Sequence, residues 1–82
     1  MATTDRTRLG KHLRKLRGDR TLAEVSASSG IDKAILSRVE NGEVMPSLRT
    51  LRRLRHFYAV DDDAFLYWLE LIPEHSDREP AA

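Results

Sequence analysis

Apolar residues recur along this chain at helical spacing in short bursts, and capping side chains and glycines mark where the bursts begin or end. Leu9, Leu13 and Leu16 follow one another at steps of four and three, with Lys11, Arg14, Lys15 and Arg17 on the remaining faces, before Gly18-Asp19 interrupts the stripe. Thr21 and Glu24 form a T-x-x-E capping box ahead of Val25, and Gly30 closes that segment. Asp32 opens a third helix that buries Ile35 or Leu36 together with Val39 and stops at Asn41-Gly42. Ser47 opens a fourth, striped by Leu48, Leu51, Leu54 and Phe57 or Tyr58. Asp61 to Asp63 open a fifth: acids in a first turn suit the positive end of a helix dipole, so the triplet reads as a helix start and not as a metal site. No run alternates as a strand does. The expected fold is all-α, a compact five-helix domain over residues 1–72, with a flexible acidic tail over 73–82, where PEHSDREPAA has no apolar period.

Size and composition narrow the function. At 82 residues without cysteine, the chain has neither a disulfide framework nor a thiolate metal site to support a small core. A reducing cytoplasm is the expected location. The N-terminus lacks an apolar signal segment, and the longest apolar run, Ala64 to Leu69, is far short of a membrane span, so no membrane partner is expected. His12, His56 and His75 have no metal-ligand spacing and Ser28-Ser29-Gly30 no nucleophile-elbow context, so no enzyme, cofactor, metal or small-molecule ligand is expected.

The net charge of +1 hides a division along the chain. Residues 1–57 carry 13 of the 14 Lys and Arg but six of the 13 acids, while residues 58–82 carry one Arg and seven acids. A basic body with an acidic end can approach a polyanion with one face and repel it with the other.

Two short helices joined by a tight turn, at about residues 21–42, form the arrangement that lets one helix enter a DNA major groove. The stretch TLAEVSASSGIDKAILSRVENGEVMPSLRTL resembles the lambda-repressor-like, or Xre-type, helix-turn-helix family. Thr21, Val25, Gly30, Ile31, Leu36, Ser37, Glu40, Asn41, Gly42, Pro46, Leu48 and Leu51 fall on the family pattern, and LGKHLRKLR is similar to its first helix, so the likeness covers roughly residues 6–66. Four departures stand out. Leu22 replaces the usual glutamine, Ser26 the usual small alanine, Glu43 an often basic residue, and the link Gly18-Asp19-Arg20 is about two residues short. They imply binding that is weaker or differently placed than in a typical member.

The resemblance implies residue roles. Lys33, Ala34, Ser37 and Arg38 form the base-facing set of the third helix. The chemistry suits them: arginine pairs bidentately with guanine O6 and N7, lysine donates to the same atoms, serine bonds several bases and alanine touches a thymine methyl. Thr21 and Asn41 are implied as contacts to the DNA backbone, with Arg49 and Arg53 added by charge. Arg17 and Glu40 match a pair that supports the recognition helix.

Around Ala64 to Ile72 the sequence is apolar except at Glu70, so the fifth helix, at about 61–72, needs burial on two sides. Phe65, Leu66 and Leu69 are expected in the core. Tyr67, Trp68, Leu71 and Ile72 are expected on a partner surface, used most simply for a homodimer. The function expected is a dimeric repressor that reads a palindrome in double-stranded DNA. The alternative is an adaptor or antitoxin-type module that binds a heterologous protein through the fifth helix. RNA binding is disfavoured, because no surface aromatic pair is interleaved with the basic residues.

Overall fold

Each helix begins where a side chain satisfies the first free amides. A computed structural model describes residues 4–72 as α1 (Asp5–Arg17), α2 (Leu22–Ser29), α3 (Lys33–Glu40), α4 (Leu48–Tyr58) and α5 (Asp62–Glu70). The tail anticipated over 73–82 lies outside the described residues. Thr4 Oγ1 accepts from the Thr7 amide, Asp32 Oδ1 from Ala34, Ser47 Oγ from Thr50 and Asp61 Oδ1 from Ala64, at 2.7 to 3.2 Å. Thr21 and Glu24 close the reciprocal box, at 3.0 Å for the Glu24 amide to Thr21 Oγ1 and 2.8 Å for the Thr21 amide to Glu24 Oε1. Among the described residues there is no strand, and the fold is all-α.

The core joins Leu9 and Leu13 of α1, Val25 of α2, Leu36 and Val39 of α3, Leu51 and Leu54 of α4, and Ile31 of the turn. Leu36, not Ile35, is the buried member of its pair, and Leu48 lies at the rim at 37% exposure. α1 crosses close over the end of α3 because Gly10 has no side chain. A Cβ there would stand 2.6 Å from the Val39 carbonyl oxygen and nearer still to that of Glu40.

The short link after α1 is held by two arginines acting reciprocally. Arg20 donates to the carbonyls of Leu16 and Arg17, at 2.9 and 3.2 Å, so it closes the free end of α1, while Arg17 Nη1 donates to the Arg20 carbonyl at 2.8 Å. The Arg20 guanidinium also lies 5.3 and 5.2 Å from the ring centres of Phe57 and Tyr58, which ties the link to α4. Burial foremost, with Glu40's charge adding, raises the Tyr58 phenol above its ordinary value of 10.0, against the lowering influence of Arg20 and Arg17. The unfolded chain therefore sheds this proton first. The associated stability is complete below pH 10 and is lost as pH rises through the folded value. Urea unfolding above pH 10 is expected to show a steeper decline in stability than Tyr58→Phe shows; equal slopes for the two proteins would contradict the assignment.

α5 lies on the body with a different face from the one anticipated. Trp68 is fully buried, and Leu71 and Ile72 are 5% and 9% exposed, so these three belong to the core and not to a partner surface. The reason is a polar contact that the apolar pattern does not reveal: the Trp68 indole N–H donates to His12 Nδ1 at 2.9 Å, which lets the largest side chain enter the interior with its one donor satisfied. Phe65 and Leu69 pack against the core as expected, whereas Leu66 is 56% exposed and Tyr67 44%. Arg55 fastens the start of α5 to α4 through an ion pair with Asp62, with its guanidinium 4.7 Å from the Phe65 ring centre.

Candidate nucleic-acid interface

The turn between α2 and α3 is tied by side chains on three sides. Gly30 takes the left-handed conformation at φ 78° that ends α2, and its amide donates to the Ser26 carbonyl. Ser26 Oγ donates to the Ile31 carbonyl at 2.6 Å, Ser29 Oγ accepts from the Ile31 amide at 3.2 Å, and Arg53 Nη1 donates to the Gly30 carbonyl at 3.1 Å. The serine that departs from the family alanine thus helps to set the angle between the two helices.

α3 buries Leu36 and Val39 and turns the opposite face outward. Lys33, Ala34 and Arg38 are exposed and Ser37 half-buried, and their spacing places all four with Asn41 along one face. Among the described residues, neither Lys33 nor Arg38 forms an ion pair with an acid. The C-terminal end of α3 is anchored beneath this face. Arg17 grips Glu40 bidentately, Nε to Oε2 and Nη2 to Oε1 both at 2.8 Å, with the Glu40 side chain only 4% exposed. Those hydrogen bonds hold the Arg17 guanidinium above its ordinary pKa, against the opposing effect of burial.

The anticipated backbone contacts are not equally free. Thr21 has committed its amide to Glu24, and that carboxylate stands where an incoming anion would lie, so the hydroxyl proton is what Thr21 retains to donate. Arg53 has one N–H group on the Gly30 carbonyl. Arg49 is exposed and borders, with Arg53, an open groove of about 460 Å³ whose apolar wall is Ile35, Val44, Met45 and Pro46. Asn41 is exposed, and its Oδ1 accepts from Arg14 Nη2 at 2.9 Å. Arg14 is the member of this site that sequence reasoning passed over. Its signal was its place one turn before Arg17 on α1, on the side that meets α3.

A family model described as a helix-turn-helix domain matches residues 8–66. The chain belongs to the helix-turn-helix family. The match agrees with the lambda-repressor-like resemblance and makes a DNA-binding regulator the coarse description of function. Neither the curated proteins nor the solved structures contain a significant match to the chain. No helix among the described residues is long and apolar enough to cross a membrane.

Proposed function

We propose that this helix-turn-helix domain is a sequence-specific regulator of transcription, a cytoplasmic dimeric repressor that reads a palindrome in double-stranded DNA through α3. The observation that carries the proposal is the outward face of α3. It offers Lys33, Ala34, Ser37 and Arg38 to solvent, while the inward face and the Arg17–Glu40 pair bind the helix to the body. Lys33 and Arg38 supply donors for guanine, Ser37 adapts to its base and Ala34 suits a thymine methyl. Asn41, Arg49, the remaining donors of Arg53 and the Thr21 hydroxyl take the flanking phosphates.

Dimerisation uses the outward stripe of α5, in which Leu66 and Tyr67 are flanked by Asp63 and Glu70 one turn to either side. Apolar residues exposed side by side on a small domain favour a protein contact, and a second copy would set two α3 helices on successive major-groove turns. Selection of bound duplexes from a random library is expected to enrich a palindrome with half-site centres about 34 Å apart. Tyr67→Glu is expected to give a monomer with lower affinity for that duplex and unchanged folding. A wild-type protein that sediments as a monomer at micromolar concentration, or an enriched sequence without symmetry, would remove the dimer. Capture of a different protein on Leu66 and Tyr67 by a monomeric chain would favour the adaptor reading instead.

A further inference from the structure

Arg14 and Asn41 together form a feature that the base-facing assignment does not use. A guanidinium carries only donors, so an amide that meets one must present its oxygen; Asn41 Oδ1 therefore faces Arg14 Nη2, at 2.9 Å, and Nδ2 with its two donors is turned away. The same guanidinium has its Nε 3.7 Å from Glu40 Oε1, but Glu40 is already held by Nε and Nη2 of Arg17. One carboxylate thus stands between two arginines, and the cluster keeps a surplus positive charge. The surplus sits on the outer residue, since the Arg14 side chain is 59% exposed and that of Arg17 only 19%.

We propose that Arg14 and Asn41 form a two-residue clamp for one DNA backbone phosphate, in which Arg14 supplies charge and also fixes the orientation of the Asn41 amide. The clamp rests on the reading of α3 as the recognition helix. It lies at the end of the face that carries Ser37 and Arg38, where a phosphate bordering the contacted groove would pass. Glu40 contributes by anchoring and not by contact: shared with Arg17, it leaves the Arg14 charge only partly offset. A contact of this kind adds affinity without distinguishing sequences.

The test is binding of the whole chain to labelled duplexes of about 20 base pairs and differing sequence across a salt series, for wild type, Arg14→Gln, Arg14→Lys, Asn41→Ala and the double variant Arg14→Gln with Asn41→Ala. Arg14→Gln is expected to weaken binding roughly tenfold at low salt, equally on every duplex, and to reduce the slope of log affinity against log salt by about one. Arg14→Lys should keep the slope and lose part of the affinity, because it keeps the charge. Asn41→Ala should cost less in the Arg14→Gln background than alone, because its amide is no longer oriented there. A purely structural role would leave the slope unchanged. Wild-type affinity and slope in Arg14→Gln, or a loss confined to one sequence, would overturn the clamp while leaving the recognition face standing. A wild-type chain that binds no duplex would overturn the DNA reading, and the clamp with it.

Discussion

Alanine at Gly10 is expected to remove a large part of the protein's stability at room temperature. Helix propensity predicts the opposite, a gain of about 1 kcal/mol when glycine in a helix interior becomes alanine. Packing overrides it. The new methyl would meet the Val39 and Glu40 carbonyl oxygens, which are backbone atoms at the end of α3 and cannot turn aside as a flexible side chain would. Separating α1 from α3 to make room would loosen Leu9 and Leu13 against Leu36 and Val39 and draw Arg17 away from Glu40. Overpacking of this kind costs about 3 kcal/mol. A domain of this size has a total stability of only about 3 to 5 kcal/mol. Urea unfolding measures it directly, and a midpoint equal to or above that of wild type would show that the two helices do not meet as described.

Loss of Arg17 is expected to be of similar size and to reach function as well. Arg17→Ala leaves a nearly buried carboxylate with only Arg14 nearby, at 3.7 Å. Breaking such a pair costs about 3 kcal/mol, mostly the penalty of the charge left behind. The double replacement Arg17→Met with Glu40→Leu is therefore expected to recover most of the stability that Arg17→Ala loses. Because the folded-state pKa of Arg17 is raised, the contribution of its charge is present below its ordinary pKa and is lost as pH rises through the folded value. Equal unfolding midpoints for Arg17→Ala and wild type would mean that the pair does not hold α3.

The helix starts were legible in the sequence because capping is local. Thr21, Asp32, Ser47 and Asp61 each act on an amide two or three residues ahead, so no knowledge of the rest of the chain is needed. The pairing of Arg17 with Glu40 came through family likeness and is present in the structure. α5 was misread for a physical reason. A helix apolar on nearly every side has no polar stripe to mark the outside, and its rotation is set by contacts distant in sequence, above all the bond from the Trp68 indole to His12. Trp68, Leu71 and Ile72 lie inward, and Leu66 and Tyr67 are left outside. Gly10 carried a signal, a lone glycine inside an apolar helical stripe, but its meaning depends on which backbone passes over it. Ser26 looked like a departure from the family pattern, and it bonds across the turn that the pattern preserves.

The central claim is that α3 reads bases, and Arg38 tests it most directly. The affinities of wild type and Arg38→Ala are measured for the selected duplex, for its single-base variants and for a scrambled duplex at fixed salt. Wild type should prefer the selected sequence by about 10³ or more. Arg38→Ala should lose about 1 to 3 kcal/mol on the selected duplex, cease to discriminate at one base pair, and leave the other positions read as before. A wild-type protein that holds selected and scrambled duplexes equally, or an Arg38→Ala protein that discriminates at every position as wild type does, would contradict the account.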